Sequence, residues 1–182
     1  MAIDLCAVRW LPCASQERLI ASPLVRHLTT FHLNNACAHW NQLSSEFVEI
    51  LARHAPNLQS LQCAVTLTPN EPLVLPAHLV SLKLALDGEY TDATINGVLT
   101  VIAALPSLAQ LCLLLAAFAD DNSVQLNLLA ACPSLTGLEL ASSHYHTPKF
   151  TETQVEQIRS SLGHLHHLSV GLMDSSLLAR LL

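Results

Sequence analysis

Charge is scarce in this chain. Only 12% of its 182 residues are charged, and the Lys and Arg stand singly, at Arg9, Arg18, Arg26, Arg53, Lys83, Lys149, Arg159 and Arg180. With a formal net charge of -6, no basic stripe exists for a phosphate backbone, so no nucleic-acid partner is expected. Five glycines supply neither a Gly-rich phosphate loop nor a G-x-S-x-G nucleophile elbow. Aromatics make up 4%, so the apolar content is aliphatic, and Leu dominates it. The longest apolar run, residues 111–119, falls well short of the roughly 20 residues that span a bilayer. Asp4 and Arg9 interrupt the apolar N-terminal stretch, which argues against a secretory signal. There is no N-x-S/T sequon and no C-x-x-C pair. Cys6, Cys13, Cys37, Cys63, Cys112 and Cys132 follow no metal-finger spacing and read as reduced thiols. Together these absences point to an intracellular protein, cytoplasmic or nuclear, with no membrane partner.

What is present is a repeat. Hydrophobic residues make up 51%, and many fall on the pattern Leu-x-x-Leu-x-Leu. The segments are LTTFHL from Leu28, LQSLQC from Leu58, LVSLKL from Leu79, LAQLCL from Leu108, LTGLEL from Leu135 and LHHLSV from Leu165. Their starts lie 30, 21, 29, 27 and 30 residues apart, and four follow a lead-in of PNL, PAHL or PSL. A degenerate seventh copy, LCAVRW from Leu5, is expected ahead of the first. Self-similarity at such periods is the mark of stacked units, each unable to bury its apolar face alone.

The connecting segments read mostly as helices. Leu43, Phe47, Ile50 and Leu51 share one helical face, with Ser44 or Ser45 as cap. Ile95, Val98, Leu99 and Ile102 do the same after Asp92 or Thr94. Val124, Leu128 and Ala131 predict a shorter helix after Asn122. Val155, Ile158 and Leu162 follow Thr151, with Gln154 at capping-box spacing. Pro56, Pro106, Pro133 and Gly163 stop these helices. Residues 67–79 contain Pro69, Pro72 and Pro76, which predicts an extended or 3₁₀ connection and a local change of curvature.

The repeat resembles the leucine-rich-repeat family over nearly the whole chain. It looks most like the long-repeat intracellular kind, found in ribonuclease-inhibitor-like proteins and in the repeat regions of F-box proteins; residues 54–63 and 131–140 resemble the latter most. The resemblance implies one α/β domain over residues 1–182, a curved solenoid of six to seven repeats with a parallel concave sheet and convex helices. One departure stands out. The family often carries Asn or Cys at the ninth position, where this chain has Ala36, Thr66, Asp87, Ala116, Ser143 and Met173.

Strand side chains alternate, so positions one, four and six face the core, and three and five face out. The third positions are Thr30, Ser60, Ser81, Gln110, Gly137 and His167. The fifth are His32, Gln62, Lys83, Cys112, Glu139 and Ser169. All of these except Gly137 form the expected partner-binding face, which is polar and nearly uncharged. Leu86, Leu114 and Leu115 are expected just beyond the strands as an apolar patch.

Ten histidines raise the question of metal. His144 and His146, and His164, His166 and His167, have suitable spacing, but no set of four ligands is visible and solvated histidines are the simpler reading. Cys63 and Cys132 read as core thiols, whereas Cys112 should face outward and could be reactive. Asp120, Asp121 and Asn122 lack the spacing of a calcium loop. No catalytic constellation and no cofactor are expected.

The resemblance therefore implies a protein-interaction scaffold, such as the substrate-recognition part of a ubiquitin ligase. No F-box is recognisable in residues 15–28. Blocking an enzyme, as ribonuclease-inhibitor-like proteins do, is the alternative; those bind basic partners with acidic faces, and Glu139 is the only acid counted here. A truncated or purely structural repeat is a third reading. At the C-terminus, Leu177, Leu178, Leu181 and Leu182 would leave apolar surface open to a further repeat, to a partner or to self-association, unless the segment folds back as a cap.

Overall fold

A computed structural model of the chain describes residues 1–4, 13–33, 42–67, 72–86, 90–115, 124–142 and 151–170. The strands are β1 (Ala2–Asp4), β2 (Thr30–His32), β3 (Gln42–Ser44), β4 (Ser60–Thr66), β5 (Ser81–Leu86), β6 (Gln110–Leu115), β7 (Gly137–Ser142) and β8 (His167–Val170). They form one parallel sheet in the order β1-β2-β4-β5-β6-β7-β8, with β3 paired to the far end of β4. The helices are α1 (Cys13–Ala21), α2 (Ser45–His54), α3 (Asp92–Ala103) and α4 (Glu152–Ser161), with 3₁₀ segments at Pro23–His27 and Leu126–Ala131. Among the described residues no helix is long and apolar enough to cross a membrane.

The Leu-x-x-Leu-x-Leu segments lie strand on strand without slippage. Position four runs Phe31, Leu61, Leu82, Leu111, Leu138 and Leu168 across the sheet, and position six continues Cys63, Leu84, Leu113, Leu140 and Val170. A slip of one residue would turn every Leu to the other face, so burial of one face holds the register.

Backbone hydrogen bonds enforce the same alignment. The position-two carbonyl of each segment accepts N–H groups from positions two and three of the next. Thr29 O accepts from Gln59 and Ser60 at 2.9 and 3.1 Å, and Thr136 O from His166 and His167 at 2.8 and 3.0 Å. Gln59, Val80 and Ala109 do the same between them.

The lead-ins acquire a structural reason. A turn bond runs from the first Leu of a segment to the carbonyl three residues earlier, from Leu28 to Val25, Leu58 to Ala55, Leu79 to Pro76, Leu135 to Cys132 and Leu165 to Leu162. Those earlier residues are all buried. The polar residue between Pro and Leu reaches back one unit: Asn57 Nδ2 donates to Arg26 O at 2.9 Å, and Ser134 Oγ to Pro106 O at 2.9 Å.

One apolar cluster joins the buried strand positions to the helix faces. The rings of Phe31 and Phe47 meet with centroids 6.2 Å apart. Helix α3 turns Ile95, Val98, Leu99 and Ile102 inward, as its spacing predicts. In α4, Thr151 Oγ1 accepts from Gln154 N–H and Gln154 Oε1 accepts from Thr151 N–H, completing the capping box. Pro56, Pro133 and Gly163 stand two residues past the ends of their helices, and Pro106 three. Residues 72–80 carry no helix; Leu73 and Leu75 supply the buried face there instead.

Several expectations need correction. The strand ahead of the first segment is Ala2–Asp4, with Ala2, Ile3 and Asp4 opposite Thr30, Phe31 and His32. That sets the extra copy five residues earlier than LCAVRW, because hydrogen bonding to β2, not the nearest Leu, fixes the register. Leu43 lies in β3 rather than on a helix, and Val48 takes the buried place assigned to Ile50, which is half-buried. The caps are Ser44 for α2 and Thr91, not Asp92 or Thr94, for α3. The segment after Asn122 is 3₁₀, and its three-residue period buries Leu126 and Leu129 while Leu128 is half-buried and Ala131 exposed. Its first N–H groups are taken by neighbours, Gln125 N–H by Asn96 Oδ1 at 2.7 Å and Leu126 N–H by Gln157 Oε1 at 2.9 Å. Thr66 ends β4, whereas Ala36, Asp87, Ala116, Ser143 and Met173 lie outside the described residues, as do Leu177, Leu178, Leu181 and Leu182.

The last described strand is less enclosed than the central ones. Leu165, Leu168 and Val170 are only half-buried, whereas their counterparts on the central strands are buried. Leu84→Ala should therefore cost roughly 2–5 kcal/mol through a cavity, and Leu168→Ala less than about half of that. Urea unfolding checks both; equal losses would mean that β8 is as tightly enclosed as β5. Thr151→Ala should cost about 1 kcal/mol by removing the cap.

Candidate functional site

The sheet's second face carries positions three and five, and a shallow groove of about 290 Å³ runs over it. Nine expected site residues line the groove: His32, Ser60, Gln62, Ser81 and Lys83 on one side, Gln110, Cys112, Glu139 and His167 on the other. Thr30 and Ser169 do not line it, although register places Thr30 beside Ser60 and Ser169 beside Glu139. Leu61, Leu82, Leu111 and Leu138 also border it. Their side chains are buried in the core on the other face, so their backbone forms the floor.

Gly137 is the lining residue that the expected site omitted. A Cβ there would collide with Gln110 Oε1, so the Gln110 side chain lies across this gap in row three. Gln110 Nε2 also donates to Thr136 Oγ1 at 3.3 Å. The signal was available in the sequence, as the one position of that row without a side chain.

Opposite charges flank a thiol at the centre. Register puts Lys83, Cys112 and Glu139 side by side on β5, β6 and β7. Among the described residues the ion pairs are Arg53–Glu49 and Arg159–Glu156, and neither Lys83 nor Glu139 joins one. Burial pushes the Cys112 thiol up to about 12; the charge of Glu139 and a hydrogen bond to it act in the same direction, and Lys83 opposes them. Cys112 is thus a protonated thiol, which corrects the expectation of reactivity: the acid beside it and the loss of water both disfavour the thiolate. Cys63 and Cys132 are buried free thiols, and Cys132 Sγ faces the carbonyls of Ile102 and Leu105 at 3.5 and 3.7 Å.

Among the described residues, a further polar contact at the groove is His32 Nε2 with Ser60 Oγ at 2.8 Å. Register also sets Asp4 beside His32. The expected apolar patch lies elsewhere than predicted. Leu86 and Leu115 are inside their strands and buried in the main core, because β5 and β6 run two residues past the pattern. Leu114 forms a second small cluster with Ala64 and Ala85, bordered by Cys112 and Ala141, and is itself buried.

Among the described residues no three His, Cys, Asp or Glu side chains are grouped as metal ligands. His164, His166 and His167 are exposed. His144, His146, Asp120, Asp121 and Asn122 lie outside the described residues. What the groove offers chemically is hydrogen bonding by hydroxyls and amides, plus one positive and one negative charge.

No model of a known protein family matches the chain, and a search of curated proteins finds no similar sequence.

The thiol chemistry is testable. A rise from 9.0 to about 12 lowers the thiolate fraction at pH 8 roughly a thousandfold. Nucleophilicity rises in part compensation, leaving alkylation roughly thirtyfold slower than for an unperturbed thiol. Glu139→Gln should speed alkylation of Cys112, followed by peptide mass spectrometry. Unchanged or slower labelling in that variant would show that Glu139 does not hold the proton on sulfur.

Proposed function

We propose that the chain is a leucine-rich-repeat solenoid, its sheet concave and its helices convex, and that it works as a protein-interaction scaffold. The observation that carries this reading is the register. Six Leu-x-x-Leu-x-Leu segments stack in sequence order as parallel strands, one face buried under helices and the other carrying the polar positions three and five. Parallel sheets are ordinarily covered on both faces. A parallel sheet with an open, grooved, hydrogen-bonding face is suited to a macromolecular partner. The groove, at about 290 Å³, lies at the lower end of the roughly 300–1,000 Å³ that drug-sized ligands take, and it is open along the sheet rather than closed around a ligand.

Within that class, substrate recognition in a ubiquitin ligase is the particular reading we adopt. Its support is the resemblance of residues 54–63 and 131–140 to F-box repeat regions. Enzyme blockade through an acidic face has less support, since Lys83, His32 and His167 share the groove with Glu139.

Photo-crosslinking tests both levels. A crosslinker at Gln110, in the groove, should capture partner protein that unlabelled chain competes away, and a cullin adaptor should accompany it. A crosslinker at Ala130, exposed on the 3₁₀ segment of the helical side, should capture little. Equal capture from both positions would sink the assignment of the binding face. Abundant partner without any cullin adaptor would sink the ligase reading.

A further inference from the structure

The groove's charges define what kind of segment it can hold. Lys83 and Glu139 lie two strands apart with Cys112 between them. Neighbouring strands are spaced by about 4.8 Å, so their Cα atoms stand roughly 10 Å apart. Among the described residues neither charge joins an ion pair, and Cys112, a neutral thiol, neutralises neither. Nearby positions on the face are hydroxyls and amides, Ser60, Gln62, Ser81 and Gln110. Such groups can satisfy the N–H and C=O of a chain laid over them.

The occupant cannot be an added strand at the centre, because β4 to β7 are already hydrogen-bonded on both sides. It must cross the strands and be held by side chains. An extended segment advances about 3.3 Å per residue, so roughly three residues cover the distance from Lys83 to Glu139. From His32 on β2 to His167 on β8 is five strand intervals, or about 24 Å, which is roughly seven extended residues.

We propose that the groove binds an extended segment of a partner protein, laid across the strands, whose acidic side chain meets Lys83 and whose basic side chain, two to four residues away, meets Glu139. This rests on the scaffold reading and adds the chemistry of the partner to it. Either chain direction satisfies the two charges. The groove therefore selects a pair of opposite charges at a set spacing rather than an order.

Peptide selection on the full chain tests this directly. A displayed library of random ten-residue peptides is selected on the unaltered protein, on Lys83→Glu and on Glu139→Lys. Both sites are on the surface, and circular dichroism with thermal melting establishes that each variant folds as the parent does. The unaltered protein should enrich peptides with one acid and one base two to four residues apart. Lys83→Glu should instead enrich two bases at that spacing, and Glu139→Lys two acids. Gly137→Val, which would push the Gln110 side chain from its place over row three without altering charge, should reduce enrichment at least tenfold. The proposal is overturned by peptides without the charge pair, by the same pattern on all three proteins, or by no enrichment. If Gln110 nonetheless crosslinks a partner, the scaffold reading survives and only the charge-pair proposal falls; if it captures none, both fall.

Discussion

Every other feature of this structure depends on one constraint: the Leu of each segment must be buried between its own strand and the helices behind it, in line with its neighbours. Phe31, Leu61, Leu82, Leu111 and Leu138 form one unbroken buried row. Each such side chain contributes about 1.5–3 kcal/mol by leaving water, whereas a ladder hydrogen bond adds a net 0.5–1.5 kcal/mol. Burial therefore drives the stacking, and hydrogen bonds make its register exact to one residue. The position-two carbonyl shows how. It accepts two N–H groups from the next segment in each of five successive steps, so no segment can slide without stranding donors.

Because a strand alternates its side chains, the same constraint produces the groove. Once positions four and six are committed to the core, positions three and five must face the other way. Parallel pairing then lays them in rows, so that residues far apart in sequence, such as Lys83, Cys112 and Glu139, become neighbours. Their chemistry follows from that placement. A thiol that would ordinarily ionise near 9.0 stays protonated to about 12 because it is desolvated beside an acid. Removing the side chain at Gly137 from the row opens a gap, and Gln110 lies over it.

Polar ties on the helical side have no fixed repeat position. Asn96 and Gln157 satisfy the start of a 3₁₀ segment, and Tyr90 Oη bridges the end of β4 by donating to Val65 O at 3.4 Å and accepting from Leu67 N–H at 3.2 Å. The units are thus uniform along the strands and their lead-ins and individual where the helical side satisfies its backbone. At β8 the uniform part fades, since Leu165, Leu168 and Val170 have packing on one side only among the described residues.

The sequence alone determined the strand segments, their inward and outward positions, the helix of residues 92–103, the capping box at Thr151 and nine of the groove's lining residues. These follow from local periodicity and from turn residues, which act within a few positions along the chain. Tertiary structure decided what depends on neighbours. Ala2–Asp4 is a strand because β2 offers it hydrogen bonds, and no Leu pattern announces that. Residues 126–131 form a 3₁₀ turn because Asn96 and Gln157 meet its free N–H groups. Leu114 is hidden beside Ala64 and Ala85, which only strand pairing brings next to it. Cys112, outward by pattern and so expected to react, is held protonated first by burial and then by an acid twenty-seven residues further along the chain, which only the pairing of β6 with β7 brings beside it.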